Sequence, residues 1–192
     1  SNHRILRQFK NHKDEWNHVF LPWFHTLPIF LEFDSFRVVH ACWDDNHVDW
    51  LKNNNIYTFK DGIKEISEDT LSKYSTKQST EYIVLEELLK GKEYDLPEGQ
   101  EFVDKDGAVR SSARIKWFNP VDNRNYHKDV FLGIGDEFGE LPVTEELKIE
   151  LHSYDSDISV FFGHYWLKGK PDDPHSKSIC LDYSVAKDGH LV

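Results

Sequence analysis

Two stretches of this chain decide its fold, FRVVHACW at residues 36 to 43 and VFFGHYW at residues 160 to 166. Each begins as an apolar run of β-branched and aromatic residues, which is typical of a buried strand. Each run ends on a histidine, His40 in the first and His164 in the second. Because ligands of open α/β sheets bind beyond the carboxyl ends of the strands, we expect both histidines to lie at such an edge.

Two roles fit a histidine at the end of a strand. Neutral imidazole is a common protein ligand of Zn, Mn and Fe, and Gly163 allows the backbone before His164 to approach a site closely. The other role is structural, a ring satisfied by ordinary hydrogen bonds. Spacing alone favours the structural role, because two isolated histidines are an incomplete set of metal ligands.

The segments around these strands predict an α/β fold, a mixed sheet with helices packed outside it. Apolar runs on both sides of Ser35 predict a tight hairpin that ends at His40. The helix-like spacing of STEYIVLEELLKG ends at Gly91, which is a common helix terminator. Helices are predicted over residues 4 to 26, with a break near residues 11 to 14, over residues 44 to 55, and over residues 79 to 91.

The second half of the chain predicts further strands and one irregular region. Residues 99 to 118 predict two short strands around Asp106 and Gly107, a favoured turn pair. Residues 119 to 146 are acidic and contain Gly and Pro, so we expect a disordered loop there. Residues 177 to 192 predict two closing strands around a turn at Lys187-Asp188-Gly189. No repeat or linker divides the chain, so residues 1 to 192 are expected to form a single domain.

Composition excludes some classes of function. The 192 residues include 39% hydrophobic residues, which is enough for a core. The net charge of −11 argues against a protein whose main task is to bind a nucleic-acid polymer or an anionic membrane. A phosphorylated ligand would therefore need a local cationic or metal-bearing site. The absence of a long apolar run or a signal-peptide pattern predicts a cytoplasmic protein.

Four stretches, LPIFLEFDSFRVVHACWDD, ARIKWF, VFFGHYW and CLDYSVAKDGHLV, occur in this order. Together they resemble the C-terminal half of bacterial calcineurin-like metallophosphoesterases, relatives of the Ser/Thr protein phosphatases and diadenosine tetraphosphate hydrolases. The resemblance spans nearly the whole chain and implies part of an α/β/β/α sandwich. It also implies a centre of two metal ions, Mn, Fe or Zn, with ligands matching His40 and His164. Such a centre activates water and neutralises charge on the phosphoryl group.

The family's N-terminal motifs, G-D-x-H-G, G-D-x-x-D-R-G and G-N-H-E, do not occur here. We therefore expect a fragment of a phosphoesterase, with no catalytic residue identifiable in the chain, little or no bound metal, and negligible activity alone. The parent hydrolase is expected to act on a phosphomonoester, a phosphoprotein or a nucleotide polyphosphate. The alternative is a non-catalytic binding module that retains the sheet but not the metal centre.

Four further residues are candidates for substrate binding. The resemblance places an arginine between the two histidine strands, which matches Arg114, and a guanidinium pairs with phosphate oxygens bidentately. A solvated or carboxylate-paired arginine fits the pattern equally well. Trp43, Asp44 and Tyr165 neighbour the candidate ligands and are predicted to line the pocket, although buried aromatic residues more often belong to the core.

The partners implied are a phosphorylated small molecule, a nucleotide or a phosphoprotein, with no nucleic-acid polymer and no membrane. A chain without the family's first half would expose a sheet face, so self-association through that sheet is a further hypothesis. Asp182 and Lys187 lie in the closing segment, where they are predicted to form a surface turn pair.

Overall fold

The structure is a computed structural model in which residues 7, 9–56, 72–97, 99–103, 107–171 and 177–192 are described. The strands in these residues are β1 (Phe30–Glu32), β2 (Phe36–Val39), β3 (Glu93–Asp95), β4 (Phe102–Val103), β5 (Val109–Arg110), β6 (Ser112–Ile115), β7 (Phe131–Leu132), β8 (Ser159–Phe162) and β9 (Ser178–Cys180). The α-helices with both ends described are α1 (Lys13–Glu15), α2 (Leu21–His25), α3 (Asp45–Asn53), α4 (Thr80–Lys90), α5 (His127–Val130), α6 (Asp136–Gly139) and α7 (Glu145–Glu150).

The largest sheet has the strand order β1-β2-β8-β9. β1 and β2 form the antiparallel hairpin predicted around Ser35, with Leu31 opposite Val38. β2 and β8 are parallel, with Val38 opposite Phe161, and β8 is also parallel to β9. The carboxyl ends of β2, β8 and β9 therefore meet at one edge of the sheet.

Two helices begin and end where the sequence predicts. The Asp44 side chain accepts hydrogen bonds from the first turn of α3, and the Ser79 hydroxyl accepts one from Tyr82 N–H at the start of α4. α4 ends at Gly91, whose φ of 90° lies in the left-handed region. Side-chain oxygens at the N-cap and glycine at the C-cap satisfy backbone groups that the helix itself leaves unpaired.

The N-terminal helical region also breaks where expected. A 3-10 turn over Phe9–Asn11 precedes α1, and a π-helical turn over Trp16–Phe20 joins α1 to α2. The break falls at His12, whose backbone is not helical. Residues 4 to 6 of the predicted first helix lie outside the described residues.

The second sheet has the order β3-β6-β7 and is antiparallel. β4 and β5 form a separate antiparallel pair, which confirms the hairpin predicted between them. Gly107 adopts a φ of 84° beside this pair, whereas Asp106 lies outside the described residues. β6 is the central strand of the second sheet, so Arg114 lies between β3 and β7.

The prediction of a disordered loop over residues 119 to 146 is wrong. The segment forms α5, β7 and α6, together with a 3-10 turn over Val121–Asn123. Arg124, only 1% exposed, ties the segment down because its guanidinium donates hydrogen bonds to the carbonyls of Leu151 and His152. These hydrogen bonds join residues that are far apart in sequence, so the composition of residues 119 to 146 could not indicate them.

The prediction of a second closing strand is also wrong in part. β9 forms, but a 3-10 turn over Val185–Lys187 follows it, and only one isolated bridge joins Tyr183 to His190. Ser184 and Asp188 both adopt left-handed backbone conformations, which interrupt an extended strand.

The two faces of the largest sheet differ in burial. On one face Phe30, Val160 and Phe162 are buried in the main core. Because paired residues share a face, Val38 and Phe161 lie on the other face, where they are only partly buried. This partly covered face fits the self-association hypothesis, which stays a prediction.

The described part of the chain is a mixed α/β protein, as predicted at that level. The assignment to a four-layer sandwich remains an expectation from the resemblance. Among the described residues, none of the helices is both long enough and apolar enough to span a bilayer. Cys42 and Cys180 are buried free thiols.

Candidate functional site

The two histidines singled out by the sequence lie side by side at the carboxyl edge of the largest sheet. Their ring centroids are 5.0 Å apart, and the ring planes are inclined by 44°. The parallel pairing of β2 with β8 causes this proximity. One further hydrogen bond continues the pairing beyond the two strands, because the backbone N–H of Gly163 donates to the carbonyl of His40 at 3.0 Å. Residues more than a hundred positions apart are thus brought to one point.

The backbone around His164 is held in an uncommon conformation. His164 has a φ of 67° and Trp166 a φ of 49°, both in the left-handed region that side chains other than glycine rarely occupy. The Asp182 carboxylate fixes this turn by accepting hydrogen bonds from the backbone N–H groups of Trp166 and Ser184, each at 3.2 Å. The loop after β9 therefore positions the loop after β8.

The surroundings keep the His164 ring uncharged near neutral pH. Burial lowers the pKa of His164, and the nearby positive charge of Arg114 and the His40 ring lower it further. Lys90 acts in the same direction, while Asp182 opposes it. A neutral imidazole retains the lone pair that a metal ion or a proton donor requires.

Arg114 lies close to this histidine pair. Its guanidinium carbon is 5.6 Å from the centroid of the Tyr165 ring, and its Nε is buried without a hydrogen-bond partner in the described structure. Gly91 makes this packing possible, because a Cβ at that position would lie 2.6 Å from Tyr165 Oη and 2.9 Å from Arg114 Cδ. The end of α4 thus leaves room for the arginine.

Tyr165, predicted to line the pocket, is a buried link between the two sheets. It is 2% exposed, and its hydroxyl donates a hydrogen bond to the carbonyl of Ile115 at 3.1 Å. Its ring packs edge-on against Phe118 and Phe162. The side chain therefore connects the end of β8 to the strand that carries Arg114, and its substrate-binding role stays a prediction.

Trp43 and Asp44 also lie inside the molecule. Trp43 has no exposed surface, and its indole N–H donates to Asp45 at 3.0 Å. Asp44 is 3% exposed, caps α3 and forms an ion pair with Lys92. Both placements give these residues structural roles, while their predicted contacts with substrate remain untested.

A second cluster of candidate ligands lies next to Asp44. Ligand atoms of Asp44, His47 and Glu87 lie within 4.8 Å of one another, which makes this the one group of three such residues found in the described part of the chain. The ammonium of Lys92 already contacts both carboxylates, at 3.3 Å from Glu87. The Lys92 ammonium thus occupies the position between the two carboxylates, and the cluster forms an ion-pair network with it.

The same network explains the ionisation of Asp44. Burial disfavours its charged form, but the hydrogen bond and charge of Lys92 outweigh burial, so the pKa of Asp44 is lowered. His152 lies on the other side, with its Nδ1 3.8 Å from the Asp44 carboxylate and its Nε2 2.8 Å from the carbonyl of Trp43. The pKa of His152 is lowered, chiefly by burial.

An apolar groove of about 520 Å³ opens beside His40. Its walls come from α2, α4 and the β1–β2 hairpin, and include Phe30, Val38, Leu85 and Leu89. His40 thus lies between this groove on one side and the His164 ring on the other.

Three residues near the histidine pair were not predicted to belong to a site. Gly91 was read only as a helix end, and Asp182 only as part of a surface turn. Trp166 follows Tyr165 but was not singled out, although it is exposed beside His164. The spacing of Asp182 and Ser184 does carry a signal, because an aspartate that accepts a hydrogen bond from the amide two residues later forms a common turn.

Comparison of the chain with protein-family models, with curated proteins and with solved structures finds no match. The resemblance to calcineurin-like metallophosphoesterases therefore stays a prediction that depends on the quoted motifs. Conclusions about function have to come from the geometry of the residues themselves.

Proposed function

We propose that this chain belongs to a metal-dependent phosphoesterase in which His40 and His164 are two nitrogen ligands of the metal centre. One observation carries the proposal: the two imidazoles lie 5.0 Å apart between ring centroids, at the shared carboxyl edge of two parallel strands.

The geometry of the pair suits a shared metal ion. With metal–nitrogen bonds of about 2.0–2.1 Å, each ring centre lies roughly 3 Å from the ion, so two rings on one ion have centres up to about 6 Å apart. The observed separation falls within this limit. The lowered pKa of His164 favours the neutral ring that binds a metal.

The remaining residues suit a phosphorylated ligand. A bound metal ion would supply Lewis-acid polarisation and an activated water for an in-line displacement. Arg114 would hold phosphoryl oxygens, because a guanidinium matches them bidentately. Lys90 also lies near His164, but its ammonium is paired with the Glu86 carboxylate at 2.6 Å. Arg114 therefore supplies the positive charge that favours an anionic substrate at this edge of the sheet.

The substrate class is a phosphomonoester, a phosphoprotein or a nucleotide polyphosphate, and the metal is Mn, Fe or Zn. Two histidines are fewer ligands than a hydrolytic metal ion requires. Among the described residues, no third ligand atom forms a compact group with the imidazoles of His40 and His164. A metal centre here therefore needs further ligands besides these two nitrogens.

This shortage of ligands favours a second candidate, a binding module that holds a phosphorylated ligand through Arg114 and the histidines without hydrolysing it. The two candidates differ in one measurable property. Phosphate binding by the module would not depend on added metal, whereas binding by the phosphoesterase would.

The proposal is tested by titrating Mn²⁺ and Zn²⁺ into the protein in a calorimeter, with His40→Ala and His164→Asn as variants. Asparagine is chosen at position 164 because it tolerates a positive φ better than alanine does. Each variant removes one of two nitrogens, so we expect metal affinity to fall by more than the roughly 10- to 100-fold that losing a hydrogen-bond partner of a metal ligand costs. Hydrolysis of an aryl phosphate is measured on the same samples.

The matched control is His12→Ala, since that side chain is 62% exposed and pairs with Glu15, which is not a residue of the site. It should leave metal affinity unchanged. Equal affinity in the wild type and in both site variants would overturn the proposal. Metal-independent phosphate binding that is lost in Arg114→Ala would instead favour the binding module.

A further inference from the structure

Trp166 presents an exposed indole directly beside the histidine pair. Its ring centroid lies 6.4 Å from that of His164, with the ring planes inclined by 56°. The residue is 51% exposed, unlike the neighbouring Tyr165, which is 2% exposed. Packing in the core does not explain a tryptophan that is half exposed, so the position of this ring has to be explained in another way.

The backbone of Trp166 is held in a conformation that a bulky residue avoids. Its φ of 49° persists because its N–H donates to the Asp182 carboxylate, which is itself tied to the N–H of Ser184. Uncommon backbone conformations that the surrounding structure enforces are concentrated at ligand sites. Here the enforced conformation holds the indole next to His164 and in the solvent.

A cation lies over the exposed indole of Trp166. The ammonium of Lys187 lies 5.2 Å from the centroid of the Trp166 ring, within range of a cation–π contact. Asp182 and Lys187 were expected to be a simple surface turn pair. In the structure Asp182 positions the Trp166 backbone and Lys187 lies over the indole, so both residues contact Trp166.

We propose that Trp166 determines specificity by stacking on an aromatic ring of the ligand whose phosphate lies at His40, His164 and Arg114. The ligand class is a phosphoester with an aryl group or a nucleobase, in preference to an alkyl phosphate. This inference rests on the proposed function, because it needs the phosphate to bind at the histidine pair.

The chemistry of such a ligand matches the arrangement. Aromatic rings attract one another when their centroids lie about 4.5–7 Å apart, and the exposed half of an indole can accept any flat ring. In an aryl phosphate the ring lies next to its phosphate, as Trp166 lies next to His164, whereas in a nucleotide the ribose separates the base from the phosphate. Stacking does not depend on which hydrogen-bonding groups the ring carries, so phenyl groups and nucleobases should both bind.

The test compares the binding of phenylphosphonate and methylphosphonate by calorimetry in the presence of Mn²⁺. The two probes share the phosphonate, and only one carries a ring. We expect the wild type to bind phenylphosphonate about 5- to 100-fold more tightly. Adenosine 5′-monophosphate and ribose 5-phosphate form a second pair that distinguishes a nucleobase from a simple aryl group.

Three variants separate stacking from other effects. Trp166→Asn removes the ring but tolerates the positive φ, so the preference for phenylphosphonate should vanish while methylphosphonate affinity stays the same. Trp166→Phe should retain part of the preference, because it keeps an aromatic ring. Mn²⁺ affinity of each variant, measured separately, should equal that of the wild type and so shows that the fold is intact.

The outcomes distinguish this inference from the proposed function. Equal binding of both phosphonates to the wild type, or a phenyl preference that survives in Trp166→Asn, would overturn the role of Trp166 and leave the metal site standing. If neither phosphonate binds the wild type and His40→Ala changes nothing, the proposed function fails and this inference fails with it.

Discussion

Gly91 is the residue whose replacement most directly tests how the site is packed. Its φ of 90° is disfavoured for any other residue, and a Cβ would collide with Tyr165 Oη and Arg114 Cδ. We predict that Gly91→Ala lowers the free energy of unfolding by about 2–4 kcal/mol, the sum of backbone strain and overpacking. Urea unfolding followed by circular dichroism measures this change.

Gly169→Ala is the matched control for that substitution. Gly169 has a similar φ of 87°, but among the described residues, its two chain neighbours aside, no heavy atom lies within 4 Å of where its Cβ would be. Its replacement should therefore cost only the backbone strain, about 1–2 kcal/mol. Equal losses in the two variants would show that the contacts with Tyr165 and Arg114 are unimportant.

His127 gives a prediction about pH. The side chain is 7% exposed, lies 4.5 Å from the Phe138 ring between centroids, and its burial lowers its pKa. In the unfolded chain the His127 imidazole takes up a proton near pH 6.5, whereas in the folded chain it does so only at lower pH. The free energy of unfolding therefore falls as the pH drops below about 6.5. We predict that His127→Leu reduces the loss of unfolding free energy between about pH 7.5 and about pH 5.5 by roughly 1 kcal/mol.

Urea unfolding at both pH values measures this slope. Part of the slope should remain in His127→Leu, because burial also lowers the pKa of His152. An unchanged slope in His127→Leu would mean that this imidazole binds its proton equally well in the folded and the unfolded chain.

At the scale of single elements, Asp44 joins the start of α3 to the ion-pair network around Lys92. Its carboxylate accepts the N–H groups of Asn46 and His47 and also pairs with Lys92. We predict that Asp44→Asn costs about 1.5–3 kcal/mol of unfolding free energy, because the cap survives while the charge partner of Lys92 is lost.

Asp44→Ala removes the cap as well, and should cost about 1 kcal/mol more than Asp44→Asn. Ser79→Ala, which removes only the cap of α4, should cost about 1 kcal/mol. Thermal unfolding of the three variants compares these values. If Asp44→Asn and the wild type were equally stable, the pair with Lys92 would contribute nothing.

Local sequence signals sufficed for those elements that depend on nearby residues. Ser79 and Gly91 mark the two ends of α4, and the apolar runs around Ser35 mark the first hairpin. The irregular region after residue 118 could not be predicted in the same way. Its order depends on Arg124, whose guanidinium reaches carbonyls 27 and 28 residues further along the chain.

At the scale of the whole molecule, the site exists because two distant strands pair in parallel. The sequence predicted that His40 and His164 end their strands, and the pairing of β2 with β8 places the two rings together. Trp166 was not predicted, because its exposure depends on Asp182 holding a left-handed backbone. A pattern of apolar residues carries no information about that contact.

Two nitrogens alone bind an ion weakly, but an ion supplied well above its Kd should still stabilise the fold as a whole. An ion held by both histidines joins the ends of β2 and β8, and unfolding must release it. At an ion concentration about 100-fold above Kd, the stabilisation is about 2.7 kcal/mol, which corresponds to a rise in Tm of about 5–10 °C for a chain of this size. Differential scanning calorimetry with and without Zn²⁺ measures the rise.

His12→Ala should show the same rise in Tm as the wild type, whereas His40→Ala should show little or none. A rise that persists in His40→Ala would locate the stabilising ion elsewhere in the molecule. The group formed by Asp44, His47 and Glu87 would then be the first place to examine.

The most direct measurement is an anomalous difference map from crystals grown with Zn²⁺ and recorded at the zinc absorption edge. The proposal predicts a peak between His40 and His164, about 2.0–2.1 Å from one ring nitrogen of each. A peak at Asp44, His47 and Glu87, or no peak shared by the two imidazoles, would contradict it.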